Sequence, residues 1–261
     1  MNDFLKKKPV RLAIYILSIL AWLLLWELLA RLFDFEVLFP GPIKTLKTAV
    51  ALIGKAFFWK SVGYSLYRIL SGLFLGILLG VLLTLIGRAL PFLRSFISIG
   101  MSVVKSTPIA SIVLILWALV EGGANEGKRL PIIIAVLMVS PIIWQNLTDG
   151  FNSIDKSLIE VARVFKFSKL KTVKNVYLPP LTRHFVPAVL TSIGFAWKSG
   201  ISAEVIAYTK SSIGYNIANA KADFDGDILF AWTLVVVLIS ITLECLAKYF
   251  LRRFKSQNAY D

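Results

Sequence analysis

The chain has 261 residues, of which 57% are hydrophobic and 17% charged, whereas soluble domains run at about 45–50% apolar and roughly 25% charged. A globule of this size could not cover so much apolar surface, which excludes a soluble enzyme and a disordered chain. The net charge of +14 sits mostly between apolar runs, so it points to an anionic membrane surface and not to nucleic acid. A lone Cys245 permits no intrachain disulfide and a lone His184 no histidine cluster for a metal.

A helix needs about 20 largely apolar residues to cross the hydrocarbon core. Six stretches qualify, at about 10–31, 62–86, 92–119, 130–147, 184–206 and 228–251. The chain therefore reads as an all-α polytopic membrane protein with about six transmembrane helices. The first stretch, led by Lys6, Lys7, Lys8 and Arg11, imitates a signal peptide. Its apolar run is longer than the roughly 7–15 residues of a signal core and no small-x-small cleavage site follows, so it is expected to be retained. Phe39-Pro40-Gly41-Pro42 then punctuates the chain. Ile43, Leu46, Ala49, Val50, Ile53 and Phe57 recur at helical spacing, with Lys44, Lys47 and Lys55 opposite. This pattern predicts an amphipathic helix in the outer interface, either packed against the bundle or also meeting an external partner.

The second stretch carries Gly72, Gly76 and Gly80 on one helical face. Missing side chains let another helix approach closely, either within the chain or from a second copy. The third contains Pro108, which would kink or break it by removing a backbone donor, so two short helices are the alternative to one span. Four ionisable residues fall in or near spans, namely Arg68, Lys105, Lys198 and Glu204. Charges there are costly and usually face an aqueous cavity or a partner. Lys198 and Glu204 are six positions apart, poorly spaced for a pair on one helix, so each is expected to reach another element. Lys105, Pro108, Trp197, Lys198 and Glu204 are the candidate pathway residues, and three cations against one carboxylate would suit an anionic solute. Trp117, Trp144 and Trp197 could instead stack on an aromatic one.

With the N-terminus inside, seventeen of the 29 Lys and Arg fall on that side and nine on the other. This asymmetry predicts both termini in the cytoplasm. The longest inside segment, about 148–183, places Ile154, Leu158, Val161, Ala162 and Phe165 on one helical face, with Lys156, Glu160 and Arg163 outward. Ser168 can cap a second short helix over about 169–176. Leu170, Val173 and Val176 would form its apolar side, and Leu178-Pro179-Pro180 would end it. A bland basic loop is one explanation; apolar faces that seek a groove on a partner are the other.

The run Glu160-Val161-Ala162-Arg163, followed by Ser168 and Leu178-Pro179, resembles the EAA loop of ABC importer permeases. Val161 replaces the first alanine, and Lys166 stands where the family has glycine. Trp26-Glu27-Leu28-Leu29, Phe39-Pro40-Gly41-Pro42, Ser65-Leu66-Tyr67-Arg68, Lys105-Ser106-Thr107-Pro108, Ala196-Trp197-Lys198, Ala203-Glu204 and Ile213-Gly214-Tyr215 resemble the nitrate/sulfonate/taurine-type subfamily.

The resemblance implies a MetI-like type I importer permease core with one additional N-terminal helix, in the bacterial inner membrane. Residues 1–61 would hold that helix and the outer interfacial helix, 62–255 the permease core, and 256–261 a short cytoplasmic tail. It implies two cytoplasmic ABC ATPase subunits, a second permease copy, an extracytoplasmic solute-binding protein and a small-molecule substrate, with no nucleic acid. ATP and Mg would be bound by the ATPase, since the chain has no G-x-x-x-x-G-K-[ST] phosphate loop and no cofactor of its own. Glu160, Ala162, Arg163, Lys166, Ser168, Lys169, Leu170, Val173 and Lys174 would couple ATPase closure to the permease. The expected solute is a small anion such as nitrate, a sulfonate or taurine, or else a vitamin precursor such as a pyrimidine. An ion-gradient-driven secondary transporter is the alternative.

Overall fold

A computed structural model of the chain describes residues 8–33, 39–121 and 127–257. Lys6, Lys7 and residues 258–261, which enter the expectations for the termini, lie outside the described residues. The chain forms two compact units, one from the residues up to Trp59 together with Asn216–Val237, the other from Lys60–Tyr215 together with Leu238 onward.

In the first unit, α1 (Lys8–Phe33) is apolar on all sides, and Ile14, Leu17, Trp22, Leu24 and Leu28 are exposed. A helix with no polar face suits hydrocarbon on every side. Trp26 donates its indole N–H to the Pro40 carbonyl at 3.1 Å, and Phe39 meets Phe230 edge-on at 5.4 Å. Pro42 opens α2 (Pro42–Ile53), where its missing N–H costs nothing and its fixed φ suits the first turn. The buried side of α2 is Thr45, Ala49 and Leu52. The expected apolar face turns out to be exposed, apart from Ala49: Ile43, Leu46, Val50, Ile53 and Phe57 all face outward. Phe58, at the start of α3 (Ala56–Ala89), stacks on Trp232 at 5.2 Å.

The second unit is built on α3, α6 (Leu130–Asn152) and α9 (Leu178–Ile206). The glycine face of α3 lies against α6. A methyl group at Gly72 would stand 2.6 Å from Ala135 Cβ and 2.7 Å from the Ile132 carbonyl, and one at Gly80 would stand 2.7 Å from Ile143 Cβ. Position 72 therefore matches 132–135 and position 80 matches 140–143, so α3 and α6 run parallel. From Gly72 to Ala89 is about 26 Å of helix, and the connection to α6 must travel back that distance.

It does so as two helices, α4 (Pro91–Ser106) and α5 (Ile109–Leu116), the second prolonged by a π-helical turn, Trp117–Glu121. The expected single span at 92–119 is thus broken, with the axes at 102°. Proline pushes the residue before it out of the helical region. Thr107 is accordingly extended (ψ 132°), as is Pro108 (ψ 132°). α9 then runs antiparallel to α6: Gly150 meets His184, and Leu130 and Ile134 share a buried cluster with Val113, Ala203 and Ala207.

Among the described residues, four helices are by length and composition alone long and apolar enough to cross a membrane, or five with the bent pair counted as one. The expected span at 184–206 lies within α9, which falls short on composition because its serines, glycines and Lys198 dilute the apolar run. That dilution fits its place, since Ala188, Ser192, Ala196, Trp197, Ser199, Gly200 and Ala203 are buried against protein. The chain closes with α10 (Ile213–Ala222) and α11 (Gly226–Gln257).

Candidate functional site

Between α6 and α9 the chain makes a compact excursion over residues 153–177. Asp155 opens α7 (Lys156–Val164) by accepting the Ser157 N–H at 2.9 Å. That backbone bond and a second from the Ser157 hydroxyl hold the Asp155 carboxyl below the ordinary 3.8. A depressed carboxylate supports the fold above its unfolded pKa, and the support is lost as pH falls through the lower folded value. Acidification below pH about 4 is therefore expected to loosen the first turn of α7. Amide exchange at Ser157 reports it, and Asp155→Asn, which keeps an acceptor but cannot titrate, should abolish the pH dependence.

The end of α7 is a Schellman motif, with Phe167 N–H on the Ala162 carbonyl at 2.9 Å and Lys166 N–H on the Arg163 carbonyl at 3.0 Å. The motif needs a left-handed residue, and Lys166 supplies it at φ 51°. This is the position where the family pattern has glycine. A lysine there bears a steric cost of about 1–2 kcal/mol, and glycine gives part of it back in chain entropy. Lys166→Gly is expected to slow local opening of 165–167 in amide exchange by about two- to five-fold. Faster exchange in the variant would contradict the motif.

Ser168 caps α8 (Lys169–Thr172), its hydroxyl accepting the Lys171 N–H at 3.3 Å. The helix does not end at Leu178-Pro179-Pro180 as expected. A π-helical turn, Val173–Tyr177, carries it directly into α9, with Leu178 N–H on the Val173 carbonyl. Both prolines then occupy the first turn of α9, where a missing N–H is tolerated.

The excursion has its own small core of Ile154, Ala162 and Val176, flanked by Phe151, Ile159, Phe167 and Tyr177. This core takes up only part of the two apolar faces. Leu158, Val161 and Phe165 are exposed, as are Leu170 and Val173, and Leu170 is 83% exposed. Of the short helix's apolar side only Val176 turns inward. Glu160, Arg163, Lys166, Lys169 and Lys174 are exposed around these apolar residues. Apart from Ala162 and Ser168, which shape the excursion, the expected coupling residues are thus exposed.

The candidate pathway residues separate into two groups. Lys105, Pro108 and Lys198 are exposed, whereas Trp197 and Glu204 are buried. Glu204 has no accessible surface. Its Oε2 accepts the Ser65 hydroxyl at 2.7 Å and the Gly214 N–H at 3.2 Å, and its Oε1 lies 3.7 Å from Arg68 Nη1. Ser65 Oγ also accepts the Ile213 N–H at 3.0 Å, and Arg68 Nη2 donates to the Lys210 carbonyl at 3.4 Å. A Cβ on Gly214 would stand 2.6 Å from Val205 N, so only glycine fits. One buried carboxylate thereby fastens α3, α9 and the start of α10. Sequence reasoning flagged Glu204 and Arg68 but missed Ser65 and Gly214 as site residues, although both stand inside the recognised motifs.

The sequence matches the family described as "Binding-protein-dependent transport system inner membrane component" over residues 72–256. A probable ABC transporter permease protein of Brucella melitensis is 25% identical over 208 residues, 80% of this chain and 82% of the relative. The taurine transport system permease protein TauC of Escherichia coli is 23% identical over 245 residues, 91% and 86% of the two chains. Among solved structures, a bacterial ABC transporter involved in the import of the acidic polysaccharide alginate superposes with a TM-score of 0.63 at 15% identity, covering 96% of this chain and 98% of that one. The family match takes in the glycine face, Glu204 and the whole excursion at 153–177, and the chain belongs to the family of binding-protein-dependent transport system inner membrane components, as an ABC transporter permease.

Proposed function

We propose that two copies of this importer permease enclose one solute pathway in the bacterial inner membrane, with both termini cytoplasmic, and that the 153–177 excursion is the seat of a cytoplasmic ATPase. The observation that carries this reading is the outward apolar set Leu158, Val161, Val164, Phe165, Leu170 and Val173, ringed by charges, on a segment with a core of its own. A self-supporting excursion that leaves six large apolar side chains in water is an interaction surface. ATP and Mg belong to the ATPase, whose closure shifts the permease only through contacts that differ between its two states. An extracytoplasmic binding protein delivers the solute, a small anion of the sulfonate, taurine or nitrate kind; the relative named for taurine transport supports this class, and a vitamin precursor such as a pyrimidine is second.

The test is a mild-detergent pull-down of the full chain from its native membrane. An ATPase with a phosphate-binding loop is expected in equal stoichiometry. Its absence under conditions that keep the chain dimeric would favour an ion-gradient-driven transporter instead.

A further inference from the structure

Two carboxylates on or beside α9 each have a cation of their own. Glu204 faces Arg68 at 3.7 Å. Glu244 of α11, whose Oε1 lies 3.2 Å from where a Cβ on Gly194 would stand, pairs with Lys248 at 3.7 Å. Lys198 stands outside both pairs. Its neighbours Ala196, Trp197, Ser199, Gly200 and Ile201 are buried, whereas Lys198 is exposed. Among the described residues its ammonium has no hydrogen bond or ion pair. Thr191, Phe195, Lys198 and Ser202 are the exposed positions along this side of α9, and their spacing places them on one helical stripe.

Lys198 is far from either end of α9. The end of α9 at Ile206 is eight residues on, about 12 Å of helix, and its start is farther still, so neither is within reach of a four-carbon stem. On the permease reading α9 lies in the membrane, where an ammonium facing hydrocarbon midway along the helix is costly, so the stripe requires water or an anion. Lys105 is also exposed, but it lies in the last turn of α4, where a cation is already favoured by the helix dipole, so its position has a structural explanation that Lys198 lacks.

We infer that Lys198 is the charge-selecting residue of the solute pathway: its ammonium faces a water-filled conduit and binds the oxyanion group of the passing solute, a sulfonate, carboxylate or similar anion. The inference rests on the permease reading above and deepens it by naming the residue that sets the sign of the solute's charge.

The test needs no knowledge of the natural solute. In membranes holding the complete transporter, with Cys245→Ser removing the native thiol, Ser202→Cys places a thiol one turn from Lys198. Its reaction rates with a sulfonate-bearing and a trimethylammonium-bearing methanethiosulfonate are compared, with and without ATP, each corrected by the rate with glutathione. The anionic reagent is expected to react faster. Adding Lys198→Gln should lower the anion-to-cation rate ratio about tenfold, as expected for a unit charge about 6 Å away across water, while Lys198→Arg should preserve it. A ratio unchanged by Lys198→Gln would overturn the assignment, because the conduit would not feel the charge. No reaction with either reagent would overturn it too, because the stripe would be sealed by lipid or by another copy. Neither outcome touches the permease reading, which the capture of an ATPase decides separately.

Discussion

Arg68→Ala is expected to cost about 3–5 kcal/mol of stability, because it strands the Glu204 carboxylate in a buried site without its countercharge. Arg68 is nearly as buried as Glu204, so neither charge is solvated from outside. The Glu204 Oε1 and Arg68 Nη1 atoms face each other without a hydrogen bond, so their mutual charge is the main compensation at that oxygen. Glu204→Gln should cost less, since an amide oxygen can still accept the Ser65 hydroxyl and the Gly214 N–H. The informative variant is the pair. Arg68→Ala with Glu204→Gln removes the stranded charge and should recover at least about half of the Arg68→Ala loss, a coupling within the range of contacting residues. Thermal unfolding of the detergent-solubilised protein, run as a double-mutant cycle, measures this. Additive losses, or an Arg68→Ala loss below about 1 kcal/mol, would show that the carboxylate does not depend on Arg68.

Much of this bundle is readable from residue order, and the places that are not share a physical cause. Apolar runs near 10–31, 62–86, 130–147 and 228–251 mark helices because lipid demands about 20 apolar residues, and Pro108 marks a break because proline lacks an N–H. The 102° between α4 and α5 was not legible, since Thr107 and Pro108 determine that the chain turns and the packing around Val113 determines where it goes. In α7, period 3.6 groups residues by face but does not say which face finds a neighbour. Ile159 and Ala162 won that contest over Leu158 and Phe165 because Ile154 and Val176 cover their side. Lys166 shows the limit most plainly. Nothing in lysine chemistry announces φ 51°; only its place in the motif does. Ser65 and Gly214 escaped notice because a lone serine and a lone glycine acquire meaning only when a distant carboxylate is brought between them.

Leu170→Asp should abolish productive docking of the ATPase while leaving the permease itself intact. Leu170 is 83% exposed and takes no part in the Ile154–Ala162–Val176 core, so its replacement removes no core contact, and the unfolding temperature of the isolated permease is expected to stay within about 2 °C, as for surface changes of within about 0.5 kcal/mol. In a complex the same side chain would enter a desolvated groove, where aspartate brings an unpaired charge. Central residues of interfaces cost at least about 2 kcal/mol when truncated, and an uncompensated carboxylate adds a burial penalty to the lost contact. A drop in ATPase affinity of about 10²–10³-fold is expected, at roughly 1.4 kcal/mol per decade. Leu170→Met keeps volume and apolarity and serves as the control that should still bind. Glu160→Lys probes the charged rim: a rim charge chiefly alters association rate and salt dependence, so it should slow assembly more than it weakens the formed complex. The two failures carry different meanings. If Leu170→Asp binds and transports normally, the excursion is not the seat of the ATPase. If Leu170→Asp binds normally but solute uptake ceases, the seat lies elsewhere on the cytoplasmic face and the excursion transmits motion without supplying affinity.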